Sequence, residues 1–374
     1  MTGRRTLLHV FATFNVGGPQ IRFAQLANQF GSCYRHRIVS MDGCSQAMDR
    51  LLPGLDAEML PLAIRKGKTL GNIPPFRRML RQLQPDLLVT SNWGSIDWAI
   101  ANFDHRIAHL HMEDGFGPEE AERQLPRRVW IRRLALSRST IMLPSRKLFA
   151  LARDVWKLPA RNLLYLPNGV DCARFLASGD PELAAAHGIR RDVPVIGAVG
   201  GLRAEKNLHR LLEAFARVAA ARPAQLVIVG DGPLSGPLKE AAEARGLSGA
   251  VVFTGACPHP EHLLPFFSVF SLSSDTEQMP LSVLEAMAAS RPVAATDVGD
   301  VRDMLAEENR PFVVARDAGL LGEAILALLA DTKKASAIGR ANRERAIAVY
   351  DQSHMFDAYR RLFDGKLDIE SVVP

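Results

Sequence analysis

The chain has 374 residues, 47% of them hydrophobic, and a formal net charge of +6. That length predicts two or three domains with cores of their own, and the composition excludes a disordered or fibrous protein. No apolar run approaches the length of a membrane span, and the four cysteines form no Cys-x-x-Cys pair, which argues against a zinc site or a disulfide framework and for a reducing cytoplasm.

Arg4-Arg5 and the apolar run after them superficially resemble a signal sequence, but they lead into Asn15-Val16-Gly17-Gly18 and not a small-residue cleavage site. A buried strand over 7–13 is therefore expected. A helix over 20–30 follows, with Phe23, Leu26, Ala27 and Phe30 as its inner stripe. Gly17 and Gly18 stand where strand passes into helix, so a phosphate can approach the backbone there; a plain Gly-Gly turn has the same appearance. Further strands are expected over 36–40, 87–90, 107–110 and 140–143. His111 and Asp114 lie at the end of the one over 107–110.

Charge is uneven along the chain. Residues 1–180 carry 25 Lys/Arg against 15 Asp/Glu, and the remainder 21 against 25. Much of the excess lies between Arg123 and Lys147, interleaved with Leu125, Val129, Trp130, Ile131 and Leu134. Such a segment suits an anionic bilayer, or a solvated helix whose stems are buried. No nucleic-acid motif accompanies it.

After about residue 178 the alternation of strand and helix starts again, with 172–192 as the expected connector. A strand over 193–197 ends in Val199-Gly200-Gly201-Leu202-Arg203-Ala204-Glu205-Lys206-Asn207, which sets two cations at its mouth. A helix over 208–221, a strand over 225–229 and the turn Gly230-Asp231-Gly232-Pro233 come next, then strands over 251–254 and 269–272. The segment Glu277-Gln278-Met279-Pro280-Leu281, running on to Glu285, reads as a loop entering a helix with Pro280 at the first helical position. Free N–H groups at that end suit a phosphate, and the two carboxylates suit sugar hydroxyls on either side of it. Dipole or capping roles are the plainer alternative. A strand over 292–296 and a helical stretch over 317–367 complete the pattern. Strands alternating with helices throughout predict a parallel α/β protein: residues 1–178 as one doubly wound Rossmann-like domain, 190–352 as a second, and a C-terminal helix at about 353–374 folding back on the first. Two such domains facing each other would form a cleft at the carboxyl ends of their strands.

Taken together, Asn168-Gly169-Val170-Asp171 with Phe175, Glu205-Lys206-Asn207, Gly230-Asp231-Gly232-Pro233, Glu277 with Glu285, and Arg291-Pro292-Val293 resemble the retaining family 4 glycosyltransferases (glycosyl transferases group 1) of the GT-B fold. The resemblance implies that the first domain binds a glycan or lipid-linked acceptor and the second a UDP-, GDP- or ADP-sugar. By position, Glu285 looks like the donor-ribose residue, Glu277 the one facing the sugar, Lys206 the cation at the diphosphate, and Gly18 the loop glycine near the phosphates. Arg203, His111 and Asp114 complete the expected catalytic set. Gly17, Gly201, Asn207, Gly230, Gln278, Met279, Pro280 and Leu281 complete the donor-binding set. Transfer in the family needs no cofactor and no metal held by Asp-x-Asp, and the chain has no Asp-x-Asp. The departures are Gly201 where the family often has Arg, Gln278 where Gly is usual, and Ser290 for another Gly. They keep two rivals open: a nucleotide-sugar epimerase of the same fold, and a non-catalytic nucleotide-sugar-binding partner. A role in bacterial-type surface polysaccharide or glycolipid synthesis, in the cytoplasm or on the inner face of the membrane, is the expected setting.

Overall fold

The structure, a computed structural model, describes residues 3–62, 69–116, 120 and 123–366. It divides into two compact units, Met1–Asn168 with Met355–Pro374, and Gly169–His354. The first is built on a parallel sheet of β1 (Arg5–Phe11), β2 (Tyr34–Ser40), β3 (Ala57–Met59), β4 (Leu87–Ser91), β5 (His109–Met112), β6 (Thr140–Leu143) and β7 (Leu163–Tyr165), in the order β3-β2-β1-β4-β5-β6-β7. Helices α1 (Gly18–Phe30), α2 (Thr69–Leu83), α3 (Ile96–Ala101), α4 (Pro126–Ala135) and α5 (Arg146–Asp154) connect its strands.

Both faces of that sheet are covered, which is why its strands read as nearly continuous apolar runs. Alternate residues of β1 serve opposite cores: Leu8 and Val10 pack with Phe76 and Trp98, while Leu7 packs with Phe30, Tyr34, Tyr359 and Phe363.

The second unit holds β8 (Val195–Val199), β9 (Gln225–Val229), β10 (Val251–Gly255), β11 (Val269–Leu272), β12 (Val293–Thr296) and β13 (Val313–Val314), in the order β10-β9-β8-β11-β12-β13. Its helices are α6 (Pro181–Ala186), α7 (Leu208–Ala221), α8 (Ser235–Ala244), α9 (Leu281–Ala288), α10 (Val301–Met304), α11 (Ala318–Ala330) and α12 (Thr332–Tyr350). Helix α13 (Gln352–Phe363) then returns to the first unit, where Met355, Phe356, Tyr359, Leu362 and Phe363 are buried.

In both sheets the strand order reverses beside the first strand, at β1/β4 and at β8/β11. That reversal splays the loops at the carboxyl ends of the two strands, and ligands of open α/β sheets bind in the crevice so formed.

Several expectations need correction. The connector expected at 172–192 belongs to the second unit, because Cys172, Phe175, Ala184 and Ile189 are buried in that unit's core with Leu263, Leu264 and Phe267. The strand expected over 107–110 lies at His109–Met112, two residues later, which draws His111 inside the sheet. Pro280 is the N-cap of α9 and not its first residue.

Candidate functional site

At the β8/β11 reversal two loops are stitched together. Beyond β8 the backbone turns at Gly200 and Gly201, passes Arg203 and ends in a tight turn, Ala204–Lys206. Asn207 then takes a left-handed conformation and caps α7, its side chain accepting from Arg210 N at 3.2 Å. Beyond β11, Ser273 Oγ donates to Lys206 O at 3.0 Å and Asp275 N to Glu205 O at 2.8 Å. Asp275 also takes Asn207 Nδ2 at 3.0 Å and Arg210 Nη2 at 2.6 Å. Both ends of the Asn207 amide are thus engaged inside the protein, giving it a supporting place in the site.

The stitching brings Lys206 Nζ to 2.5 Å from Glu277 Oε1, while Ser274 Oγ donates to the same oxygen at 2.8 Å. Lys206, expected at the diphosphate, here touches the Glu277 carboxylate directly. Glu277 is mostly buried, at 12% side-chain exposure, and Lys206 at 26% is more open.

Close backbone approaches hold this arrangement. Gly299, at φ +51°, lies under the Glu277 loop, where an added Cβ would come within 2.4 Å of Glu277 O. Asp300 N donates to Gln278 O at 2.9 Å, so the loop is propped from the turn after β12. Gly230, at φ +142°, lies against the Gly200 carbonyl, where a Cβ would stand 1.9 Å from the oxygen. No side chain fits at either position. The exposed Arg203 leans over Gly201: a Cβ there would be 3.5 Å from Arg203 Nε.

Met279 is buried in the core and Leu281 packs against it, so both anchor the start of α9. Glu285 sits in the second turn of that helix, partly buried. Burial pushes its carboxyl up to about 7; the Arg174 guanidinium opposes the rise, and Glu261 adds to it. Arg174 itself donates to Glu261 Oε2 at 2.8 Å. Arg174 and Glu261 carry no sequence signal, because neither is near Glu285 in the chain.

The β1/β4 reversal of the first unit is built differently. Gly17 is the N-cap of α1 without a side-chain cap, and Gly18 opens the helix with nothing near where a Cβ would lie. One turn on, Arg22 is 3% exposed and grips Asp114, with Nη1–Oδ1 at 2.5 Å and Nη2–Oδ2 at 2.7 Å. Burial works against the Arg22 charge, but Asp114 outweighs it and holds the guanidinium above its usual range. Asn168 Oδ1 accepts from Arg22 at 2.9 Å, and Asn92 Oδ1 from Asp114 N at 2.7 Å. Asp114 therefore reaches the strand end, ion-paired.

His111 does not. It is fully buried, its Nδ1 hydrogen-bonded to Thr90 Oγ1 at 2.8 Å and its Nε2 3.4 Å from the buried Glu113. Placed inside the sheet, it is a core histidine and cannot touch a ligand at the strand end. Its neighbour His109, two residues away on the same face, is also sealed in; burial first, and His111 second, lower its pKa to about 3.

Comparisons agree with this architecture. The family model "Glycosyl transferases group 1" matches residues 180–345, and "Glycosyltransferase Family 4" matches residues 16–174. Among curated proteins, the 2-deoxystreptamine N-acetyl-D-glucosaminyltransferase of Streptomyces fradiae is 32% identical over 157 residues, 40% of this chain and 37% of that protein. The O-antigen chain mannosyltransferase C of Escherichia coli is 30% identical over 179 residues, 46% of this chain and 47% of that one. The chain thus spans less than half the length of each of these two relatives. Among solved structures, Anabaena Alr3699/HepE in complex with UDP and glucose matches at a TM-score of 0.81 and 16% identity, over 96% of this chain and 100% of that one. That likeness concerns the fold.

Proposed function

Since the chain belongs to the group 1 glycosyltransferases of the GT-B fold, we propose that it transfers a sugar, with retention of anomeric configuration, from a nucleoside-diphosphate sugar to an acceptor hydroxyl. The observation that carries this reading is the Lys206–Glu277 pair beside the N-terminus of α9, with Glu285 one turn beyond. A diphosphate laid on the α9 amides has a cation on one flank in Lys206, and Arg203 is close by. Glu285 accepts from the ribose hydroxyls and Glu277 from the sugar, and the turns at Gly201, Gly230 and Gln278 border the nucleotide.

In this reading the bond from the anomeric carbon to the diphosphate oxygen breaks, and a bond to the acceptor oxygen forms on the same face. The acceptor's proton passes to the departing diphosphate, and no protein base is needed. Lys206, Arg203 and the α9 amides stabilise the negative charge as it develops. No metal or organic cofactor takes part. The first unit receives the acceptor near Gly17, Gly18 and Asp114, and a growing surface glycan or a lipid-linked sugar suits its basic character.

The same unit supports docking at the inner face of a membrane. Arg132 faces inward from α4, fully buried among Trp93, Phe116 and Trp156, and paired with Glu120 at 3.0 Å. That anchor turns Trp130 and Leu134 outward, 68% and 61% exposed, beside the exposed Arg127 and Arg133. Among the described residues no helix is long and apolar enough to cross a membrane, so contact of this kind would be peripheral.

A thermal-shift screen over UDP-, GDP- and ADP-sugars tests the reading first, because donor binding stabilises the native state by mass action. The stabilising donor is then incubated with glycan and lipid extracts. Transfer with a retained anomeric signal in the NMR spectrum of the product is expected. Isomerised sugar with no transfer, or binding with no reaction at all, would overturn it.

A further inference from the structure

The turn after β10 carries side chains that the proposed transfer leaves unused. His259, Glu261 and His262 can each bring one ligand atom to within 4.8 Å of the other two. They lie in and just before the tight 3-10 turn Pro260–His262. Residues three apart eclipse one another in such a turn, so His259 and His262 share a side, with ring centroids 6.0 Å apart.

His259 Nδ1 stands 3.1 Å from Glu261 Oε1. Ligand atoms at about 2.0 Å from a tetrahedral zinc ion are roughly 3.3 Å from each other, so this pair is already spaced for shared coordination. Glu261 is 5% exposed, and its other oxygen is fixed by Arg174 Nη2 at 2.8 Å. A hydrogen bond of that kind orients a ligating carboxylate and leaves its free oxygen toward the metal.

An independent sign comes from His262. Its Nδ1 is closed off from solvent and has no hydrogen-bond partner. A buried ring nitrogen in that state costs free energy until something occupies it, and with its carboxylate and imidazole neighbours the fitting occupant is a borderline divalent cation. The geometry points to a zinc site formed by His259, Glu261 and His262, with a fourth position open to water. The cysteine spacing that argues against a zinc site says nothing of His259-Pro260-Glu261-His262, which has no familiar zinc-ligand spacing.

None of the three ligands is given a step in the proposed transfer, although Glu261 lies close enough to act on Glu285 electrostatically, so the test reads metal binding directly and does not depend on turnover. The full-length protein, stripped with chelator, is titrated with Co2+ as a spectroscopic probe and with Zn2+ by calorimetry. One equivalent of Co2+ should give the visible ligand-field absorption of four-coordinate cobalt, displaced by Zn2+, and bound Zn2+ should raise Tm. His259 is exposed, so His259→Ala should fold normally while weakening zinc binding at least about tenfold; His262→Gln should do the same. Absence of saturable binding at one equivalent, or unchanged binding in both variants, would overturn the assignment.

Discussion

Lys206 and Glu277, 71 residues apart, share one hydrogen bond of 2.5 Å, and it is the shortest link between the loops beyond β8 and β11. Before any donor arrives the two charges satisfy each other. A diphosphate bound there as proposed would draw on the lysine and leave the carboxylate the Ser274 hydroxyl at 2.8 Å.

Lys206→Ala should therefore cut kcat far more than it cuts stability. Loss of one preorganised charge at the transition state is worth on the order of 10²–10³ in rate. The partly exposed ion pair contributes on the order of 1 kcal/mol to folding. Steady-state kinetics with the donor found by thermal shift, set beside a melt, decides it. A folded variant with wild-type kcat would remove Lys206 from the mechanism.

Glu285 should make folding respond to pH, and with it the donor binding proposed above. Its carboxyl is raised from 4.5 to about 7 by burial, with Arg174 in opposition. Below the lower value both folded and unfolded chains are protonated, and there is no penalty. As pH rises through the folded value the native state bears the full cost of ionising, on the order of 3 kcal/mol. Glu285→Gln should raise Tm near pH 8 and leave it nearly unchanged near pH 4. If the ribose needs the carboxylate, wild-type affinity for the nucleotide should climb about tenfold from near pH 6 to near pH 8. The variant should bind weakly and without that slope, as calorimetry at the two pH values would show.

Arg22 and Asp114 form a pair that cannot be halved cheaply. Asp114→Ala leaves a guanidinium only 3% exposed without its carboxylate and should cost about 3–5 kcal/mol, read from urea unfolding. Arg22→Met combined with Asp114→Leu should recover most of that loss. His111→Asn, by contrast, disturbs only buried hydrogen bonds, so its effect should fall on Tm, with kcat within about twofold of wild type.

The outward face of α4 should bind anionic vesicles. Co-sedimentation with phosphatidylglycerol vesicles, falling as salt rises, is expected, with a blue shift of Trp130 fluorescence. Trp130→Ser with Leu134→Ser should abolish it without unfolding the protein, since both side chains are exposed. Equal binding to neutral vesicles, or none to either kind, would contradict membrane docking.

Long, unbroken apolar patterns were the part of this fold most legible in the chain. Residues 208–221 and 225–229 coincide with α7 and β9 because apolar periodicity there is uninterrupted. Ala57–Met59, Leu163–Tyr165 and Val313–Val314 are too short and too near a sheet edge to show a period, and they went unpredicted. Site residues divide in the same way. Glu277, Glu285 and Lys206 stand in recognisable local patterns. Arg22 sits beside an apolar stripe, and its partner is 92 residues away, so nothing local announces a buried cation. Arg174 likewise carries a pairing that only tertiary structure creates. Gly299 has no local pattern that announces its place under the Glu277 carbonyl.

The return of α13 has a consequence for biosynthesis. Tyr359 and Phe363 are fully buried beside Leu7, Phe30 and Tyr34, so the part of that sheet face not covered by α1 stays open until they are made. The whole of Gly169–His354 leaves the ribosome before they do. Domains generally complete in the order of synthesis, but here the unit translated second can finish first, while the nascent first sheet waits for α13 with part of its apolar surface exposed. Truncations that remove α13 should for that reason fail in the cell as insoluble protein, even though they leave every donor-site residue in place.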